Sequence, residues 1–139
     1  MQFAEVAEAV EVLKDGGFRL TREEVDVYRS ENAFAELKRD KVVVRIVRER
    51  DRYFMELRPK YEDREWFDVG LVLRSLSVPE LRPYQTDVAA MENATRHVLA
   101  AFDLLNEHFS RSKWRDTAAH LRELRERRWN ERVGARLKE

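Results

Sequence analysis

The sequence predicts an α+β domain: an N-terminal helix, a three- to four-stranded antiparallel meander, a short helix and a C-terminal antiparallel helical hairpin. Three observations carry that expectation. Lys41–Arg58 reads as two alternating strands around a tight turn. Two other stretches carry apolar residues at steps of three and four, the helical period: Phe3, Val6, Val10 and Leu13, and then Val88 through Phe109. Between strands and helices lies Ser77–Pro83, with Pro79 and Pro83, which reads as a connection. The chain is taken as one domain over residues 1–139, with a sheet-bearing half (1–76) and a helical half (84–139).

The hairpin sets the frame. A turn at Arg50-Asp51 places Arg48 opposite Tyr53, Val47 opposite Phe54, Ile46 opposite Met55, Arg45 opposite Glu56, Val44 opposite Leu57 and Val43 opposite Arg58. One face then collects Val42, Val44, Ile46, Tyr53, Met55 and Leu57, because side chains alternate along a strand. A slip of one residue would turn this apolar set outward, which fixes the register. The turn lacks Asn-Gly or Asp-Gly, so a four-residue loop over Glu49–Arg52 is the alternative. Extended backward, a turn at Arg39-Asp40 places Leu37 opposite Val42, Ala35 opposite Val44 and Phe34 opposite Arg45. Phe34, Val43, Val47 and Phe54 thus share the second face with Arg45, Glu56 and Arg58. They lie under the protein's own segments or form a partner-binding patch.

The other elements follow in order. A helix is expected over Gln2–Lys14, with Glu5, Glu8, Glu11 and Asp15 off its apolar stripe, and Gly16-Gly17 stops it. Phe18-Arg19-Leu20 is an extended piece. Val25–Arg29 reads as a strand pairing near Ala33–Lys38, with Glu31-Asn32 as its turn. Trp66-Phe67 precede Asp68, a candidate N-cap for a short helix carrying Val69, Val72, Leu73 and Leu76. Val88, Met91, Thr95, Val98, Phe102, Leu105 and Phe109 define one helix of about six turns, capped by Thr86 or Asp87. Ser110-Arg111-Ser112 breaks it. A further helix from Lys113 buries Trp114, Ala118, Leu121 and Leu124. A step of five to Trp129, followed by Val133 and Leu137, then rotates the stripe toward another surface or a second copy of the chain.

Charged residues make up 39% of the chain and the net charge is zero. The charge is unevenly spread. Residues 1–32 carry four basic and eight acidic side chains; residues 111–139 carry ten and five. An acidic start and a basic end either steer a charged partner or pair with each other. Cysteine is absent, which excludes disulfides, thiolate metal sites and a Cys nucleophile. No apolar run reaches the roughly 18–20 residues that span a bilayer, and the acidic amphipathic start is unlike a secretory signal. A cytoplasmic location without membrane contact is expected.

No catalytic, cofactor or metal centre is expected. His97, His108 and His120 form no His-Glu-x-x-His pattern. They are read as helix-surface or interhelical residues; the alternative pairs His97 or His108 with His120, helped by Glu107 or Asp116. Gly16-Gly17 lacks the context of a phosphate-cradling loop. Arg122, Arg125, Arg127, Arg128, Arg132, Arg136 and Lys138 crowd the last helix, a pattern suited to phosphates. The same helix places Glu123 before Arg127 and Arg122 before Glu126 at steps of four, which suits a solvated, salt-bridged surface.

Phe18-Arg19-Leu20, Val25–Ser30, Val44–Arg52, Glu56-Leu57 and Trp66–Leu73 together resemble small bacterial α+β proteins. They are loosely similar to the immunity proteins that neutralise secreted or contact-delivered toxins. The likeness covers Phe18–Leu76. It implies a binding protein rather than an enzyme and transfers no functional residue. The expected function is therefore non-catalytic protein–protein recognition through Glu5, Glu8, Glu11 and Asp15, or through Phe34, Val43, Val47 and Phe54. The alternative is nucleic-acid binding through Arg125, Arg128 and Arg132. Homodimer formation through Trp129, Val133 and Leu137 is a third reading.

Overall fold

The computed structural model describes residues 6–25, 33–50, 52–62, 64–76 and 88–138. Alternation produces the central hairpin as expected. Strands β3 (Val42–Glu49) and β4 (Arg52–Pro59) pair from Glu49↔Arg52 to Val42↔Pro59, including Arg45↔Glu56 and Val47↔Phe54. The tight turn forms without glycine: Arg50 adopts the left-handed conformation (φ 59°).

The strand before it, β2 (Ala33–Arg39), departs from expectation by two residues. Its partners are Arg39↔Val42, Leu37↔Val44, Ala35↔Ile46 and Phe34↔Val47. The turn falls on Asp40-Lys41 because Asp40 takes φ 49°, a conformation Asp tolerates better than most side chains. A slip of two keeps every side chain on its face, so alternation alone does not detect it.

Strand β1 is Arg19–Val25, which absorbs the extended Phe18–Leu20 piece and starts well before the expected Val25. Residues 26–32, the rest of that expected strand and its turn, lie outside the described set. Between Leu20↔Leu37 and Arg22↔Glu36 the ladder carries one extra residue, Thr21. The bulge lets Leu20 face the core while Arg22, only two residues on, faces the other way. Thr21 Oγ1 donates to the Glu36 carbonyl at 3.0 Å, which satisfies an acceptor beside the bulge. A two-residue strand, β5 (Phe67–Asp68), pairs with Leu57 and Glu56, so the antiparallel sheet has five strands in the order β1-β2-β3-β4-β5.

All the helices that bury apolar residues against the sheet do so on one face. Helix α1 (Ala7–Asp15) contributes Ala9, Val10 and Leu13; α2 (Val69–Ser75) contributes Val69, Leu71, Val72 and Leu73. Met91, Ala94 and Val98 of α3 (Val88–Ala100) join the same core as Leu37, Val44, Ile46, Met55 and Leu57. The single helix expected over 88–109 is divided at Ala101 (φ −97°, ψ 11°) into α3 and α4 (Phe102–His108), although i→i+4 hydrogen bonds continue on both sides. Helix α5 (Arg111–Lys138) packs against α2 and α4, and Trp114 meets Phe67 and Phe109 edge-on at 5.9 and 5.3 Å. Asp68 caps α2 as expected by accepting the Leu71 N–H at 3.1 Å. The candidate caps Thr86 and Asp87 lie outside the described residues. No described helix is long and apolar enough to cross a membrane.

The two glycines at the end of α1 serve different purposes, close packing at Gly16 and a left-handed backbone at Gly17. A Cβ on Gly16 would stand 2.4 Å from Leu99 Cδ2, and Gly17 has φ +98°. Arg39 Nη1 donates to the Gly16 carbonyl at 2.8 Å, while its guanidinium lies 3.7 Å from the Phe102 ring centre. Gly17→Ala should therefore lower stability by about 1–2 kcal/mol, the cost of a left-handed alanine, read as a lower urea midpoint at unchanged slope.

Candidate recognition surface

The face of the sheet opposite the helices is built in cross-strand rows. Glu24, Phe34, Val47 and Phe54 form one row; Arg22, Glu36, Arg45, Glu56 and Asp68 form the next; Lys38, Val43 and Arg58 form a third. Phe34, Val47 and Phe54 are each half-buried, and with Arg45, Glu49 and Glu56 they line a shallow depression of about 380 Å³. From Arg22 to Glu56 the middle row alternates in charge. Arg45 donates to Glu56 Oε1 at 2.6 and 3.1 Å. Arg58 reaches Glu36 Oε1 at 3.2 Å and the carbonyls of Pro59 and Glu62 at 3.1 and 2.7 Å. Arg22 pairs with Glu24 at 2.9 Å and lies over Phe34, 5.1 Å from the ring centre.

These contacts differ in weight. The exposed Arg22–Glu24 pair is worth at most about 1 kcal/mol. Arg58 is only 8% exposed. Removing Glu36 would leave a largely buried cation short of its counter-charge, a loss in the range of about 3–5 kcal/mol for such sites. Trp66 lies against this pair of arginines, 4.3 Å from the Arg45 guanidinium and 4.6 Å from that of Arg58. Among the described residues, no helix covers the Phe34–Val47–Phe54 row.

Trp66 belongs to a four-residue clasp, Glu65–Asp68, that ties sheet to helix. Glu65 Oε1 accepts from Arg122 Nε and Nη2 at 2.9 and 2.7 Å, and Oε2 accepts from Arg125 Nη2 at 2.5 Å. The Arg122 hydrogen bond holds the Glu65 carboxyl below the usual glutamate range; partial burial opposes this, and Arg125 adds to it. The same bond raises Arg122. Phe67 enters the core, with the Arg125 guanidinium 4.9 Å from its ring centre. Asp68 caps α2 and stands 3.8 Å from Arg128.

The sequence-predicted residues fall on different surfaces. Glu8, Glu11 and Asp15 are exposed on α1, on the helical side of the sheet, so they cannot join Phe34, Val47 and Phe54 in one patch. Glu5 lies outside the described residues. Val43 lies in the third row of the outer face but is fully buried there, so it offers no surface to a partner. Arg125 is engaged by Glu65, Arg128 is 8% exposed beside Asp68, and Arg132 is exposed. From Trp129 to Val133 every side chain of α5 is exposed, with Trp129 at 64%. The side chain of Leu137 is outside the described set. His97 Nδ1 lies 2.9 Å from the Asn93 carbonyl, and no metal-holding group of three His, Asp or Glu residues occurs among the described residues. Sequence reasoning missed Glu65 and Trp66, whose only local signal was a charged-aromatic-aromatic-charged tetrad after a loop.

No protein family, curated protein or solved structure matches this chain.

The clasp makes stability depend on pH in a definite direction. Glu65 titrates below its ordinary value of 4.5 when folded, so its contribution is complete above that value and is lost as pH falls through the folded one. Glu65→Gln should cost about 1 kcal/mol at pH 7, and the melting-temperature gap to the unmodified chain should close as the pH falls from 4.5 through the lowered folded value. A gap that stayed constant down to acid pH would mean that the Glu65 charge does not hold the arginines.

Proposed function

We propose that this protein is a non-catalytic protein-recognition module that uses the outer face of its sheet. The observation that carries the reading is the single row Phe34–Val47–Phe54, three half-buried apolar side chains bordered by charges already paired within the face. Such a row supplies an apolar centre, and the fixed Arg45–Glu56 and Arg58–Glu36 pairs supply a rim. Because these charges are satisfied before binding, they select a partner by geometry more than by net charge. The partner class is a folded protein with an apolar ridge flanked by hydrogen-bonding groups. Toxin neutralisation of the immunity type is the narrower form of this reading and rests on the sequence resemblance alone. The acidic surface of α1 is the rival face for a basic partner.

A second reading, nucleic-acid binding along α5, is favoured by the exposure of Trp129 among Arg125, Arg128 and Arg132. Glu65 and Asp68 already engage Arg122, Arg125 and Arg128, which lowers the positive charge left for phosphates. This reading predicts a mobility shift with single-stranded oligonucleotide at low salt, steeply weakened by added salt. The absence of any shift would remove it.

The sheet-face reading is tested by placing a photo-crosslinking amino acid at position 54, identifying the captured protein and measuring its affinity with purified components. Phe34→Asp combined with Phe54→Asp should weaken that complex at least about 100-fold, or about 2.8 kcal/mol. Reversing Glu8, Glu11 and Asp15 to Lys should change it less than about threefold. The opposite pattern would move the interface to α1.

A further inference from the structure

We infer that the junction of three turns (Asp40-Lys41, Lys60-Tyr61 and Ser110-Arg111-Ser112) is a binding site for the phosphoryl group of a phosphorylated small molecule. The turns border an open pocket of about 520 Å³, within the size range of small-ligand sites. Lys41, Lys60 and Arg111 reach it from three separate segments, and no described carboxylate pairs with any of them. The one acid in the pocket wall, Asp40, already accepts from Asn106 Nδ2 at 2.7 Å. The three cations therefore outweigh it, and the site keeps an excess of positive charge.

The walls are preorganised. Asn106 Oδ1 accepts the Lys41 N–H at 3.0 Å, which ties the β2–β3 turn to α4. The Lys60 N–H donates to the Lys41 carbonyl at 2.9 Å, which joins the first two turns. Tyr61 Oη donates to the Phe109 carbonyl at 2.6 Å, which joins the second turn to the third, and Arg111 lies over the Tyr61 ring at 4.9 Å. Burial raises the Tyr61 hydroxyl above its usual range, so the phenol keeps the proton that makes this bond. Ser110 and Ser112 offer hydroxyls, 3.2 Å apart, as further hydrogen-bonding groups. The positive end of α5 adds to this field but does not create it. Two lysines and one arginine bordering one pocket suit a phosphoryl dianion, with Arg111 able to make a two-pronged contact. The site lies on different residues from the Phe34–Val47–Phe54 row, so it stands or falls independently of the proposed recognition function.

The test is a titration of the full chain with inorganic phosphate, phosphoserine and ADP, followed by ¹H–¹⁵N correlation spectra, with acetate at matched ionic strength as control. The phosphorylated probes should give saturable shifts at the amides of Lys41, Lys60, Arg111 and Ser112, which acetate does not reproduce. Lys60→Glu and Arg111→Glu should each weaken the binding at least tenfold, whereas Lys60→Arg should keep it. If the charge reversals disturb the fold, the milder pair Lys41→Gln and Lys60→Gln should give the same loss. No saturable shift with any phosphorylated probe overturns the assignment. So does a single-stranded oligonucleotide that binds at the same amides more tightly than ADP, because the site then belongs to a polymer.

Discussion

The clasp Glu65–Asp68 is the constraint on which the rest of the arrangement depends. Four consecutive residues serve four different neighbours. Glu65 holds two arginines of α5, Trp66 stacks on two arginines of the outer sheet face, Phe67 fills the core, and Asp68 pairs at the sheet edge and caps α2. An extended strand sends successive side chains to opposite sides, which lets so short a segment meet two layers at once. Its ion pairs are individually modest in water. Their effect is geometric: they place the long α5 beside the sheet edge while Trp66 closes one end of the outer face.

The same division explains why the sheet has one apolar and one mixed side. Helices α1, α2 and α3 fill the apolar side, where Leu37, Val44, Ile46, Met55 and Leu57 are fully buried. On the other side, among the described residues, paired charges and a row of half-buried apolar residues stand where a second helical layer would pack. The alternation Arg22, Glu36, Arg45, Glu56 across four strands lets the face carry high charge density without net repulsion. Arg58 anchors it through one carboxylate and two carbonyls, and Val43, its cross-strand neighbour, is fully buried. A face built this way has its Arg45 and Arg58 charges paired within the sheet.

How much of this was legible in the sequence follows from the range of each interaction. The β3–β4 register was readable because turn and apolar alternation both constrain it. The β2 register was misread by two residues because an even slip leaves the faces unchanged. The start of β1 was hidden by the Thr21 bulge, which breaks strict alternation between Leu20 and Arg22. Asp68 was visible as a cap because its partner lies three residues away, whereas the Glu65 contacts span 57 and 60 residues and leave no periodic trace. The rotation of the α5 stripe after Leu124 was legible, and it ends in the exposed Trp129 and Val133. The cationic junction was not, since Lys41, Lys60 and Arg111 converge only through turns held by Asn106 and Tyr61.

The central claim is that the outer face of the sheet stays open to solvent while the helices close the inner one. Hydroxyl-radical footprinting of the full chain, read residue by residue, tests it most directly. The account predicts that Phe34 and Phe54 react well above Phe18, Phe67 and Phe109, and that Trp129 reacts well above Trp66 and Trp114. Protection of Phe34 and Phe54 to the level of Phe67 would contradict it, because another part of the chain or a second copy would then cover that face.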